Sequence, residues 1–171
     1  MKATKELIKE LYHNWTANYP DSIIELPASG SSRKYYRIAK DNKTIIAAYN
    51  TDKKENEAFL YYSNIFFEKR LNVPEIYFSS IKDNVYFLQD LGDETLYSFI
   101  KSLPNSDEEK LKNIYKKVLK LLPSFQITVS KEIDYSNSYP RHAFDRQSMM
   151  WDMNYFKYYF LKLNNVNFDE Q

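Results

Sequence analysis

Apolar residues recur at two different spacings along the chain, which predicts a mixed first half and a helical second half. Near the N-terminus Leu7, Leu11 and Trp15 repeat every four residues and share one face of a helix, which we expect at residues 3–18 and to end before Pro20. From residue 22 onward, short apolar runs bounded by turn residues replace this period. Such runs are typical of strands.

Five strands and one inserted helix are predicted between residues 22 and 89. Asp41-Asn42 separates two strand-like runs and "IKDN" at 81–84 separates the last two, so each pair is expected to form an antiparallel hairpin. The predicted strands lie near 22–26, 33–39, 43–49, 75–80 and 84–89, with the helix at 54–70. The side of this helix expected to face the sheet carries Glu55, Phe59, Tyr62 and Phe66.

Helices are predicted for the rest of the chain. A short one follows residue 92, with Asp93 as its cap. The next opens with the capping-box pair Ser106 and Glu109. Its buried face is expected to consist of Leu111, Ile114, Val118 and Leu121. The last helix, from Asp145 to about Leu163, is apolar nearly all round and expects neighbours on several sides. This indicates either a piece of a larger protein or self-association.

Composition narrows the class of protein. Of the 171 residues 43% are hydrophobic and 27% charged, as in globular proteins with a real core. The net charge of +1 gives no field for nucleic acid or an anionic membrane, so neither partner is expected. There is no cysteine, and neither a signal peptide nor a membrane span is recognisable, so a cytoplasmic protein is expected. The two histidines, His13 and His142, form no metal motif, and no metal site is predicted.

One of the two glycines lies in a loop with candidate chemistry. Gly30 is flanked by Ser29, Ser31 and Ser32, and Arg33 follows. Backbone N–H groups, hydroxyls and a guanidinium together favour an anion, above all phosphate. The alternative is an ordinary hairpin loop rich in turn-forming residues. The other glycine, Gly92, directly follows the fifth predicted strand.

Several segments together resemble the aminoglycoside phosphotransferase and choline kinase group, closest to its amino-sugar (N-acetylmuramate/N-acetylglucosamine) kinase branch. They are "SGSSRKYYRI" (29–38), "ENEAF" (55–59), "LNVPEIYFS" (71–79), "FLQDLGDETL" (87–96) and "FDRQSMMWDMNYFKYYFL" (144–161). The resemblance implies an α+β fold. Residues 1–91 would form a protein-kinase-like small lobe, and residues 92–171 a hinge and the first helices of a truncated large lobe.

The same resemblance implies a nucleotide site. Residues Ser29 to Arg33 would cover the phosphates of ATP, and the backbone of Gln89, Asp90 and Leu91 would contact adenine. Glu55, or alternatively Glu57, would order the phosphate-binding cation, unless it only stabilises the helix N-terminus. Asp152 is a weaker candidate for contact with the phosphoryl acceptor, which would be an amino sugar or a related hydroxyl compound.

Two departures from the kinase pattern limit the expected activity. Ala48, Tyr49 and Asn50 end the third strand where a lysine is expected; Arg33, Lys34 or Arg37 could replace it. No aspartate has an asparagine five residues later, as a kinase catalytic loop requires. We therefore expect no catalytic residue and no magnesium ligand in this chain, and a fragment inactive without the remainder of its polypeptide.

Three alternatives remain open at this level. The chain could be a degenerate kinase-like lobe that serves as a non-catalytic interaction or regulatory module. It could bind RNA through Tyr35, Tyr36, Tyr77 and Tyr86, which the near-zero net charge disfavours. Within residues 140–146, the two arginines could contact a substrate or, as we prefer, serve only to cap the last helix.

Overall fold

The protein has an α+β fold in which a five-stranded antiparallel sheet carries the core. The computed structural model describes residues 2–28, 30–104 and 107–169. The chain divides into two compact units, residues 1–133 and 134–171. Within the described residues, no helix combines the length and the apolar character that crossing a bilayer demands.

The first unit begins with a helix, followed by the sheet and one inserted helix. Its strands pair in the order β1-β2-β3-β5-β4, and every pairing is antiparallel. The elements are α1 (Lys2–Thr16), β1 (Ser22–Glu25), β2 (Lys34–Lys40), β3 (Lys43–Tyr49), α2 (Lys53–Glu68), β4 (Ile76–Ser80) and β5 (Val85–Gln89). The predicted five-stranded antiparallel sheet with a helix inserted after its third strand is confirmed.

Both predicted hairpins are confirmed by their turns. Asp41 and Asn42 have φ angles of 48° and 61°, as a two-residue type I′ turn requires. A short 3₁₀ turn, Ile81–Asp83, joins β4 to β5, and Asn84 follows it in the left-handed conformation. Asparagine and aspartate tolerate this conformation better than other non-glycine residues, which is why these positions signal turns in the sequence.

The two faces of the sheet are covered by different helices. On one face Tyr36 and Phe87 pack against Ile8 of α1, and all three are fully buried. On the other face Ala48 and Tyr86 pack against Leu60 of α2. Because side chains alternate along a strand, each strand contributes to both faces. Burial of each large apolar side chain stabilises the fold by about 1.5–3 kcal/mol.

Helix α2 is rotated relative to the prediction. Its buried residues are Asn56, Leu60 and Ser63, whereas the predicted stripe of Glu55, Phe59, Tyr62 and Phe66 lies at the margin of the interface. Two aromatic members of the predicted stripe nevertheless make contacts, and Phe59 packs against the cluster on this face of the sheet. Phe59 stacks on Tyr86 of the sheet at 5.1 Å, while Phe66 meets Phe125 edge-on at 5.2 Å.

Two helices follow the sheet in the first unit, α3 (Leu96–Ser102) and α4 (Glu108–Pro123). Thr95, rather than the predicted Asp93, caps α3, because its hydroxyl and that of Ser98 form a reciprocal capping box. The predicted cap Ser106 lies outside the described residues. The predicted buried face of α4 is wrong at its later turns. Val118 and Leu121 are 43% and 44% exposed, and no residue of α4 is buried.

The second unit is dominated by α5 (Arg146–Phe156), continued by a π-helical turn over Lys157–Leu161. Asp145 caps α5 by accepting a hydrogen bond from the Ser148 N–H at 3.0 Å, and Arg141 pairs with the same carboxylate. These contacts favour the capping interpretation of residues 140–146. The predicted exposed apolar surface is confirmed: Met149, Met153, Phe156 and Phe160 are each 47–62% exposed.

Candidate functional site

The loop that joins β1 to β2 encloses a cavity of about 230 Å³. Five of its lining residues carry side-chain donors, namely Ser31, Ser32, Arg33, Lys34 and Tyr35, and Glu25 contributes a carboxylate. Its lining residues are Glu25, Leu26, Pro27, Ala28, Ser31, Ser32, Arg33, Lys34 and Tyr35. Ser29 lies outside the described residues. The cavity is small and polar on one side, which suits a group of the size and charge of a phosphate.

Gly30 is not required by the geometry of the loop. A Cβ atom added there would meet no atom within 4 Å, and its φ lies outside the left-handed region. Gly92 differs, because its φ of +84° is one that other residues rarely adopt. Of the two glycines, only Gly92 is explained by its backbone conformation.

Arg33 and Glu55 form an ion pair at the loop end of the sheet. The distance from Arg33 Nη2 to Glu55 Oε1 is 2.8 Å. The guanidinium lies over the rings of Phe59 and Tyr86, at 5.0 and 5.9 Å from their centroids. The Arg33 side chain is only 9% exposed, and no residue that the structure describes accepts a hydrogen bond from its Nε. A buried cation is thereby held between a carboxylate and two aromatic faces.

Asn50 occupies the end of β3, where the kinase pattern has its lysine. Its Nδ2 donates to Glu55 Oε2 at 2.8 Å, and its backbone oxygen accepts from Asn56 Nδ2 at 2.7 Å. Both carboxylate oxygens of Glu55 are therefore held. Of the three basic residues that could replace the lysine, Arg33 is the one bonded to Glu55. The contribution of Asn50 has no signal in the sequence beyond its position.

A second arginine lies at the other end of the same sheet face. Arg37 holds Asp90 with two hydrogen bonds, Nε to Oδ2 at 2.6 Å and Nη2 to Oδ1 at 3.0 Å. It also reaches Asp93, with Nη2 to Oδ1 at 2.8 Å. The hydrogen bonds from Arg37 hold the pKa of Asp90 below its ordinary value. The family resemblance implies only a backbone role for Asp90, and no sequence signal indicates this side-chain pair.

The segment that leaves β5 is anchored on both sides of Leu91. The Gln89 N–H donates to the Glu75 oxygen at 2.9 Å, and the Gly92 N–H donates to Asp90 Oδ1 at 2.9 Å. Leu91 itself is 68% exposed. Within the described part of the chain, neither its N–H nor its C=O has a hydrogen-bond partner. This peptide edge is open to an external donor and acceptor.

The two ends of this face are separated along the strands. Lys34, which follows the loop, aligns through β3 with Val85 at the start of β5, whereas Gly92 comes after Gln89 at its end. Four residues of strand correspond to about 13 Å. The side chains of Arg33 and Arg37 both lie on the face covered by α2, because they alternate with the residues that contact α1. The cavity of the loop does not extend to residues 89–92.

The remaining candidates belong to other elements of the chain. Asp152 is exposed on α5 in the second unit. His13 stacks on Tyr19 at 4.1 Å, and His142 lies 3.1 Å from the Tyr135 oxygen. Over residues 2–28, 30–104 and 107–169, no group of three or more His, Cys, Asp or Glu side chains could hold a metal ion.

A sheet surface that stacks on RNA bases is not supported. Tyr36 and Tyr86 are 0% and 1% exposed and lie on opposite faces of the sheet, so neither ring is available to a base. Burial also raises the pKa of Tyr86. Its hydroxyl is buried beside Arg33 without a hydrogen-bond partner.

Comparison with known proteins adds no assignment. No protein-family model matches the chain, and a search of curated proteins finds no match. The interpretation of the site therefore depends on its geometry.

Proposed function

We propose that residues 1–91 form the nucleotide-binding lobe of an ATP-dependent small-molecule phosphotransferase with a protein-kinase-like fold. One observation carries the proposal. The helix inserted between β3 and β4 presents Glu55 to a cation on the inner face of a five-stranded antiparallel sheet, and the cation borders the cavity of the loop between β1 and β2. In kinases a glutamate on the inserted helix and a basic residue on the sheet pair in this way beside the ATP phosphates.

The loop end is proposed to hold the phosphates. Ser31 and Ser32 offer hydroxyl donors, and Arg33 borders both the cavity and Glu55. An anion in the cavity would gain charge-assisted hydrogen bonds, which are roughly twice as strong as neutral ones. Arg33 thus replaces the strand-three lysine, with the difference that it comes from the loop. Ser29 and Gly30 belong to the same proposed site through their place in the loop.

The exit from β5 is proposed to hold the base. Among the residues that the structure describes, none bonds to the N–H or C=O of Leu91, which we propose receive the adenine edge, with Gln89 and Asp90 preceding them in the chain. A separation of about 13 Å along the strands between this edge and the loop suits the elongated shape of a nucleoside triphosphate. The base and the phosphates would lie on one face of the sheet.

Transfer of the phosphoryl group requires parts outside this chain. An aspartate base with an asparagine five residues later and the Mg²⁺ ligands would belong to a large lobe, for which residues 92–171 are the beginning. The exposed apolar side chains of α4, and separately those of α5, are surfaces that such a lobe would cover. The acceptor would be an amino sugar or a related hydroxyl compound, with Asp152 as its weak candidate contact. The chain by itself is expected to bind nucleotide without transferring phosphate.

A titration of ATP–Mg²⁺ by calorimetry tests the proposal. The variants are Arg33→Ala and the matched charge loss Lys43→Ala, at the exposed first residue of β3. The loss of a charge-assisted contact is expected to weaken ATP binding about tenfold in Arg33→Ala and to leave Lys43→Ala unchanged. Thermal unfolding of both variants controls for misfolding. Equal affinity in the wild type and a folded Arg33→Ala would remove the loop from the site.

The second candidate function is a kinase-like lobe that binds no nucleotide. It is favoured by the Arg33–Glu55 pair, because both side chains already have partners within the protein. Arg33 is nine-tenths buried, and Glu55 already has Arg33 and Asn50 as partners. On this hypothesis the lobe is a non-catalytic interaction or regulatory module. Wild-type protein that binds neither ATP nor ADP at millimolar concentration would favour the second candidate over the first.

A further inference from the structure

The guanidinium of Arg37 ties the exit of the sheet to a strand two places away. Arg37 lies in the middle of β2, aligned with Ile46 of β3 and Leu88 of β5. Its partners Asp90 and Asp93 lie beyond the end of β5, so the side chain crosses β3 to reach them. Two strand spacings are about 9.5 Å, close to the full reach of an arginine.

The contact differs from an ordinary surface ion pair. The Asp90 side chain is 6% exposed, and it accepts two hydrogen bonds from one planar fork. Exposed ion pairs contribute little because both side chains stay mobile, whereas a bidentate pair with a buried carboxylate fixes geometry. Asp90 Oδ1 also accepts a hydrogen bond from the Gly92 N–H at 2.9 Å.

Leu91 is held between these two anchored residues. Asp90 and Gly92 are joined to each other and to Arg37, and Leu91 projects from them with an exposed side chain and a free peptide edge. A hydrogen-bonding edge that is fixed before a ligand arrives binds more tightly and more selectively than one that must first be ordered. The clamp therefore supplies rigidity where the proposed base contact needs it.

We propose that Arg37 is a positioning residue for nucleobase recognition: through Asp90 and Asp93 it holds the Leu91 peptide edge in place without touching the base. This inference rests on the proposed function and assigns the selectivity for the base, as distinct from the phosphates, to a residue of β2. An arginine is required, because lysine keeps the charge but lacks the planar fork that holds both oxygens of Asp90.

The experiment compares ATP with inorganic tripolyphosphate, each with Mg²⁺, as ligands of the full chain. Arg37→Lys is the test variant, and Lys40→Gln, which breaks the exposed Lys40–Asp21 pair on the same strand, is the control. Arg37→Lys is expected to weaken ATP binding about tenfold, the worth of a hydrogen-bond contact, and to leave tripolyphosphate binding unchanged. Amide hydrogen exchange at residues 90–92 should accelerate in the same variant.

The outcomes separate this inference from the proposed function. Equal weakening of both ligands, or unchanged ATP affinity in Arg37→Lys, overturns the role of Arg37 while ATP binding by the wild type stands. Failure of the wild type to bind ATP overturns the proposed function, and this role of Arg37 with it. If Arg37→Lys does not fold, the double change Arg37→Gln with Asp90→Asn removes the clamp without leaving a buried charge, and the same results are expected of it.

Discussion

Two arginines four residues apart hold carboxylates at opposite ends of one sheet face, and the burial within the two pairs is reversed. At the loop end the cation is buried: the Arg33 side chain is 9% exposed and that of Glu55 39%. At the exit from β5 the anion is buried: the Arg37 side chain is 21% exposed and that of Asp90 6%. The more exposed member is therefore the carboxylate of Glu55 at the loop end and the guanidinium of Arg37 at the exit from β5.

The difference shows which residue each pair fixes. Removing one partner of a buried pair is costly mainly because the other charge is left without compensation. At the exit the residue at risk is Asp90, which has little access to water, whereas at the loop end it is Arg33, which keeps two aromatic faces. We therefore expect the Arg37 pair to contribute more to stability than the Arg33 pair does.

The largest expected effect comes from Arg37→Met. Without the Arg37 guanidinium, the buried Asp90 carboxylate keeps neutral donors such as the Gly92 N–H but no cation. We therefore expect a fall of about 2–3 kcal/mol in the free energy of unfolding. This is below the loss for a fully buried pair because Arg37 is itself one-fifth exposed. Urea unfolding at neutral pH measures the change, with Lys40→Gln as the charge-matched control. A loss no larger than that of the control would contradict the inference that Arg37 compensates the charge of a buried Asp90.

A smaller effect is expected from Glu55→Gln at the loop end. Arg33 loses its carboxylate but keeps its contacts with Phe59 and Tyr86, so the expected loss is about 1–2 kcal/mol. Glu57→Gln, an exposed change two residues away, is the matched control and should leave stability unchanged within about 0.5 kcal/mol. If Glu55→Gln destabilises the protein more than Arg37→Met does, the ranking of the two pairs is reversed.

The smallest effect concerns pH. The pKa of Asp90 is lowered in the folded protein, chiefly by the hydrogen bonds from Arg37, so its stabilising contribution is complete above the unfolded-state pKa of about 3.9 and is lost as the pH falls through the folded-state pKa. Asp90→Asn should therefore make stability less dependent on pH in the acid range. The check is the slope of the unfolding free energy against pH, from pH 5 downward. An identical slope in wild type and variant would show that other carboxylates set the acid response.

Sequence alone predicted the sheet well, because turn residues and alternation are local signals. Asp41-Asn42 forms the expected turn, and β3 begins and ends where its apolar run does. Side-chain placement on α2 was less predictable. A helical stripe identifies an apolar side, but which residues of α2 become buried depends on its packing against sheet residues that are distant in sequence.

The candidate site was only partly foreseeable for the same reason. Glu55 was chosen and Arg33 was named as a possible replacement for lysine, and the two do form a pair. No local pattern indicates that Asn50 completes the partners of Glu55 or that Arg37 reaches Asp90 across 53 positions of sequence. Whether these residues contact a nucleotide stays a prediction.

The placement of the two tryptophans gives each unit its own optical reporter. Trp15 on α1 packs beside Phe87 and Tyr77 of the first unit, whereas Trp151 on α5 is 56% exposed in the second. In Trp15→Phe, Trp151 is the remaining tryptophan, so the emission wavelength should depend only on the solvent exposure of α5. It should shift to the blue when a partner covers that helix. In Trp151→Phe, emission should report melting of the sheet. A pair of single-tryptophan proteins would thus separate docking from unfolding by fluorescence.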